Sequence, residues 1–454
     1  QPVIQTILII FVKRTLSLNA RKSVLLFGVH YKTNKSKTMK KKKSILYRVF
    51  IFSLISDPIV NSIYGAIYGQ EEPIFLGMSF LQLFKGAMLL LLITLLVLGH
   101  MKNIILYIKK MRIIYPLVAL SLSAVILSAF SAAFSDGLIW TFRIVYLTVI
   151  FISAFILSKE NVINRNDLKA VAGFIIAFYF LTQVFAILKG SGGVYNLKYG
   201  SSGYVANASV LANSISGSIV CFFIDRNWSV ADLSFIFISM VSLIFTMRRS
   251  ELIACLFAII GVIILRSFKN GKILSSALIL IVLSLMILAI LRGTHIGNEF
   301  TKRMADLNPN AGTASGRYIF QKITLNHILN RGVVYNIIGE GPGAIKDLLG
   351  REFGSSIGAH SDWLDVAMAY GLIGVMCLLW FIFEVFRLTM ACFRAGVGIY
   401  VMLSISLIMV IMSIASGGIF GMAYAVTYAA MGQTNYIIMR NNIRGRNLVN
   451  NEAI

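Results

Sequence analysis

The sequence predicts an all-α polytopic membrane protein of about twelve transmembrane helices, with one long loop between helices 9 and 10. Three observations carry that prediction. Of 454 residues, 57% are hydrophobic and 13% charged, against roughly 25% charged in soluble domains. Apolar runs of about 18 residues or more recur along the chain, long enough to cross the hydrocarbon core as helices. The cations are not scattered, despite a net charge of +24. They collect in the N-terminal tail and in short loops on one side, which is the positive-inside pattern of a membrane protein. Their placement argues against a nucleic-acid partner.

The expected organisation follows in chain order. Residues 1–38 carry two apolar patches too short to span, and Met39-Lys-Lys-Lys-Lys43 reads as a start. The segment 1–38 is therefore expected to be a non-native or cytoplasmic N-terminal extension. Residues 39–291 hold helices 1–9, at about 44–67, 74–98, 113–134, 137–157, 168–188, 204–224, 229–247, 249–266 and 273–291. The loop 292–360 follows. Residues 361–440 hold helices 10–12, at about 361–386, 397–415 and 418–439, and 441–454 form a tail. With the Lys-rich N-terminus inside, one face receives Lys109, Lys110, Arg112, Lys159, Lys169, Arg266, Arg387, Arg394 and Arg440. That alternation puts both termini in the cytoplasm and the 292–360 loop outside. The four cysteines, Cys221, Cys255, Cys377 and Cys392, have no paired spacing and read as small apolar residues.

Ionisable groups inside spans are costly and mark candidates for function. Asp57 and Lys85 lie midway along the first two spans, at similar depth in an antiparallel hairpin. They are expected to pair, either to fix packing or to meet a ligand. Arg143 follows Trp140 near the outer end of the fourth span, as an anchor reaching for the interface or as a site residue. Glu384 is expected at the inner interface. Met247-Arg-Arg-Ser-Glu251 interrupts an apolar run from Leu233 to Leu265. That run fits two spans with almost no loop, so Arg248, Arg249 and Glu251 fall on a tight turn at the outer surface.

The long loop carries Ser315-Gly-Arg317 ahead of an imperfect apolar stripe, Ile319, Phe320, Ile323, Ile328 and Leu329. This predicts an amphipathic surface helix with Ser315 as N-cap. Arg317 in its first turn suits phosphoryl oxygens. Gly339-Glu-Gly-Pro-Gly343 lies outside any βαβ context, so it reads as a tight turn that lets backbone approach another segment, not as a dinucleotide loop. His360 stands just before the tenth span, with Ser361 as its expected N-cap and Asp362 and Asp365 in the first turn. Trp363 fits the interfacial aromatic belt. A histidine there can act as a base, hold a phosphate, or serve only as an interfacial residue. His295, His327 and His360 lack metal-ligand spacing, so no metal and no cofactor is expected.

The arginine turn, Ser315-Gly-Arg317 and Ala359-His-Ser-Asp-Trp-Leu-Asp-Val-Ala-Met-Ala-Tyr-Gly-Leu-Ile-Gly374 together resemble the O-antigen ligase and O-antigen polymerase superfamily. These are bacterial inner-membrane glycosyltransferases of the lipid-linked, GT-C-like kind. His360, Ser361, Trp363, Leu364, Gly371 and Gly374 match the family pattern at the loop exit. Arg249 takes the family's arginine position in the helix turn, and Arg248 stands where the family has serine. The resemblance implies an undecaprenyl-pyrophosphate-linked glycan as donor, and either another lipid-linked repeat unit (polymerase) or lipid A core (ligase) as acceptor. Ser-Asp-Trp-Leu-Asp after His360 favours the polymerase branch, with a chain-length regulator protein as expected partner. The implied catalytic residues are His360, Arg249 and Arg317. Arg248, Glu251, Arg143, Trp363 and Gly341 are the candidate substrate contacts. A lipid-linked sugar flippase or transporter is the competing class; it needs no such outer loop.

Overall fold

A computed structural model describes residues 44–68, 73–75, 78–129, 134–189, 195–196, 200–201, 203–204, 207–225, 228–270, 317–353 and 358–452. The expected extension 1–38, the ninth span at 273–291, His295 and the Ser315 cap lie outside them.

The described chain is helical apart from two short antiparallel pairings, Pro73–Phe75 with Met78–Ser79 and Tyr195–Asn196 with Gly200–Ser201. Its helices are α1 (Ile45–Tyr68), α2 (Phe80–Tyr107), α3 (Ile114–Ala129), α4 (Phe134–Lys159), α5 (Arg165–Lys189), α6 (Ala208–Ile219), α7 (Val230–Thr246) and α8 (Arg249–Asn270). Three helices follow in the expected loop: α9 (Arg317–Asn330), α10 (Val333–Ile338) and α11 (Ala344–Phe353). The chain closes with α12 (Asp362–Ala395), α13 (Ile399–Ala415) and α14 (Ala425–Glu452). By length and composition, α1, α2, α4, α5, α8 and α12 can each cross a membrane. Four shorter apolar helices, Ile114–Ala129, Ala208–Phe223, Val230–Thr246 and Ile399–Ala415, accompany them.

The core forms around α4, whose residues from Ile144 to Ser158 are almost all buried. It packs chiefly on α3 and α14. Gly432 of α14 makes the second contact close: a Cβ there would stand 2.3 Å from the Phe151 carbonyl oxygen. Small residues at such crossings let helix backbones approach where no hydrophobic effect drives association. Leu90, Leu98, Phe185, Phe257, Phe268 and Phe383 face outward, as lipid-facing positions do. All four cysteines are free, and only Cys377 is partly exposed.

Several buried charges form ion pairs. Lys85 meets Asp57 between α1 and α2, and Asn61 Nδ2 also donates to Asp57 Oδ1 at 3.1 Å. Lys169 reaches Asp232 at 2.7 Å and Asp225 at 2.8 Å, while Asp232 closes a capping box with Ser229 at the start of α7. Glu384 lies toward the C-terminal end of α12. It is buried, with a carboxylate oxygen accepting from Arg387 Nε at 2.7 Å. Helix α12 continues past Arg387 to Ala395, where Gly396 ends it at φ 66°.

A second, small core lies beneath the loop helices. Ile345, Leu348, Leu349, Ala359 and Met368 form it, with Phe320, Ile323, Ile328 and Leu364 packed against them. The α9 stripe therefore divides. Phe320, Ile323 and Ile328 face protein, whereas Ile319 and Leu329 stay exposed.

Candidate functional site

The turn between α7 and α8 is as tight as the broken apolar run requires. Met247 ends α7 in the left-handed region (φ 53°) yet is buried, and Arg248 donates its N–H to Thr246 Oγ1 at 3.3 Å. Arg249 opens α8. A left-handed methionine costs roughly 1–2 kcal/mol, so packing on both helices holds the reversal. Arg248 and Arg249 are half-buried on it. Glu251 lies in the first turn of α8. It is fully buried, accepting from Ser250 Oγ at 2.8 Å and Ser416 Oγ at 3.5 Å. Its carboxylate fastens α8 to the link after α13.

Arg317 comes to this turn from the loop. Its Nη1 donates to Ser250 Oγ at 3.3 Å and to the Ala415 carbonyl at 3.2 Å. One guanidinium thus joins α9, the start of α8 and the end of α13. Phe320, one turn further along α9, places its ring 6.5 Å from that of His360.

His360 completes the cluster with its backbone also left-handed, at φ 59°. Four contacts on either side fix it. Asp365 Oδ1 accepts the Ala359 N–H at 2.9 Å, and Ser361 Oγ donates to the Ser413 carbonyl at 3.4 Å. Asp362 accepts the Gly418 N–H at 2.6 Å and the Ile419 N–H at 3.1 Å. Ser361 occupies the N-cap position of α12, but its hydroxyl makes no cap bond; it is turned to α13 instead. Trp363 is likewise tied inward, its Nε1 donating to Ser413 Oγ at 3.2 Å. Burial, then the Arg317 and Arg248 guanidinium groups, push the His360 imidazole down to about 4. At neutral pH this histidine carries no charge and has a ring nitrogen free of a proton.

Arg143 sits one turn along α4 from Trp140, whose ring lies 5.4 Å from Tyr370 and 5.6 Å from Phe420. Through Trp140, α4 meets α12 and the link after α13, and Arg143 lies on that helix.

The glycine run does what a tight turn for backbone approach should do. Inside α12, Gly371 breaks the helix at φ 58°, ψ −151°. Three carbonyls near the break are met by the loop. Glu340 and Gly341 donate their N–H groups to the carbonyls of Met368 and Ala369, each at 3.0 Å. Arg331 donates Nη2 to Ala367 O at 2.7 Å and Nη1 to Met368 O at 3.0 Å. Its Nη1 also reaches Glu340 Oε1 at 3.3 Å, and His327 Nε2 lies 2.8 Å from the same oxygen. The Gly341 amide, offered above as a substrate contact, is thus engaged by α12. Gly339 has no room for a side chain: a Cβ would lie 2.3 Å from the Ala369 carbonyl oxygen. Arg331, Glu340 and His327 escaped sequence reasoning. Arg331 and Glu340 are the charges that bracket the uncharged stretch from Gly332 to Gly339, and that bracketing was the available signal.

The structure therefore brings Arg248, Arg317 and His360 together, from sequence positions more than forty apart, with Arg249 on the same turn as Arg248. Glu251, Trp363 and Gly341 each make hydrogen bonds within the protein around this cluster. No curated protein matches the chain. A family model described as O-antigen ligase matches residues 234–379. That stretch contains Arg248, Arg249, Arg317 and His360 and leaves out Arg143. Across it the chain is similar to a family of membrane glycosyltransferase-like enzymes, which supports the O-antigen ligase and polymerase superfamily and a membrane protein acting in O-antigen-type glycan transfer.

Proposed function

We propose that this chain polymerises undecaprenyl-pyrophosphate-linked oligosaccharide repeat units at the outer face of a bacterial inner membrane. In this reading twelve spans put both termini in the cytoplasm and the loop helices outside. The observation that carries it is the reach of Arg317 to Ser250, which makes one cationic cluster of the α7–α8 turn and the loop, with His360 at its edge. The acceptor hydroxyl oxygen attacks the anomeric carbon of the donor sugar. The bond from that carbon to the pyrophosphate oxygen breaks, and the hydroxyl proton passes to the uncharged His360. Arg249, Arg248 and Arg317 stabilise the charge gathering on the departing pyrophosphate, as preorganised cations do in a water-poor site. A base whose proton affinity is depressed by neighbouring cations regains it when an anionic donor binds beside them. The His360 environment thus couples donor binding to base strength.

A second reading, transfer of finished glycan to lipid A core, is favoured by the description of the matched family as O-antigen ligase. Surface polysaccharide from a deletion strain separates the two. Single capped repeat units mark the polymerase, unattached polymer the ligase, and lipid-linked units trapped inside the cell a flippase. Arg249→Ala, Arg317→Ala and His360→Ala are each expected to give a folded, inserted protein that makes no long polymer. Normal polymer length from all three would overturn the assignment.

A further inference from the structure

Helix α10 is a six-residue helix with its apolar side turned outward. Val333 is 74% exposed, Val334 64%, Tyr335 52%, Ile337 47% and Ile338 38%. Only Asn336 faces back, to Arg331. No charged residue lies between Arg331 and Glu340, and both of those turn toward the broken segment of α12. Soluble surfaces rarely carry a contiguous apolar patch of this kind without a partner.

Its position says what the partner is. Past the break, residues 372–395 rise about 36 Å at 1.5 Å per residue, enough for the hydrocarbon core of about 30 Å. Gly371 therefore lies near the loop-side end of that span, and α10 is fastened to it. Its C-terminal end bonds to Met368 and Ala369 through Glu340 and Gly341. A Cβ on Gly371 would lie 2.5 Å from the Ile337 carbonyl oxygen, so the two backbones touch. Immediately beyond the break, Leu372, Ile373 and Met376 are exposed on a span that packs against α10. The outward face of α10 is thus continuous with the lipid-facing surface of α12. Tyr335 supplies the amphipathic ring typical of the interface.

We propose that α10 is seated in the bilayer at the loop-side boundary, its Val333–Ile338 face covered by lipid acyl chains. The loop then enters the leaflet beside the site and does not stand clear of it. This rests on reading residues 372–395 as a span, and it is independent of the transfer chemistry.

Spin labels in proteoliposomes test it. Val334→Cys, Met376→Cys and Lys322→Cys are made singly in full-length protein carrying Cys377→Ser, because Cys221, Cys255 and Cys392 are buried. Collision with oxygen, which concentrates in lipid, is compared with collision with a water-soluble nickel chelate. The Val334 label should match Met376, with an oxygen-to-nickel ratio several-fold above that of exposed Lys322 on α9. A Val334 ratio equal to that of Lys322 places α10 in water and overturns the proposal. Poor access to both reagents means that protein covers the face, such as a second copy, and overturns it too. A water-accessible Met376 label removes the span beneath α10 and the proposal with it. Loss of polymer-forming activity alters none of these readings.

Discussion

Replacing Arg331 by methionine removes the side chain that spans the break in α12. Arg331 is 4% exposed and donates to two backbone carbonyls, Asn336 and Glu340. Removing one partner of a buried, hydrogen-bonded ion pair costs roughly 3–5 kcal/mol. Glu340 is 22% exposed and keeps His327, so the low end, about 3 kcal/mol, applies. This is less than the roughly 5–15 kcal/mol that holds a domain together, so the loop helices should open locally while the spans stay folded. Hydrogen exchange reads the opening directly, because the amides of Glu340 and Gly341 are bonded to α12. Their exchange should quicken on the order of 100-fold, since each 1.4 kcal/mol is a factor of ten, with α4 unchanged. Arg331→Lys should recover little, because one ammonium cannot present the planar fork that meets both carbonyls. Unchanged exchange at Glu340 and Gly341 in Arg331→Met would refute the reasoning.

Four further outcomes follow from the same geometry. Gly339→Ala combines a left-handed residue with a clash against Ala369 and should cost about 2–4 kcal/mol, seen as a lower thermal midpoint. Gly350→Ala meets no atom within 4 Å and should be neutral or stabilising by up to about 1 kcal/mol. Exchanging Asp57 and Lys85 for one another should preserve folded, inserted protein, whereas Asp57→Ala alone leaves the buried Lys85 without its carboxylate and should cost about 3–5 kcal/mol, measured as yield after detergent extraction. Arg317→Gln removes one of the cations that depress His360, so its titration midpoint should rise from about 4 toward 6.5. Histidine-labelled NMR can follow this with only five histidines in the chain, and an unmoved midpoint would contradict the proximity of the two groups.

Period and hydropathy located apolar helices among the described residues, six of them long and apolar enough to cross a membrane, because insertion into lipid depends on local composition. The arginine turn, its neighbouring helices and the Asp57–Lys85 pair were legible for that reason. The frame around the site was less so. Arg331 bonds to carbonyls that become available only where α12 breaks, and a glycine in an apolar run does not announce a break. Ser361 met the pattern of a cap, yet Ser413 lies close enough to take its hydroxyl. Glu251 next to two arginines looked like a site residue. Its burial is set by α13, more than 140 positions away in sequence, and no local pattern records that. The α9 stripe was visible, but which members would meet protein depended on α11 and α12 folding beneath it.

The carboxylate of Asp362 accepts two successive amides, Gly418 and Ile419, two residues from His360. The link after α13 and the candidate base therefore move as one block. Helices tilt to match the thickness of the bilayer that surrounds them. A tilt of α13 would move His360 and, through the Ser416–Glu251 and Ala415–Arg317 contacts, load the α7–α8 turn as well, so membrane thickness itself becomes a variable that sets how well the base and the arginines are aligned.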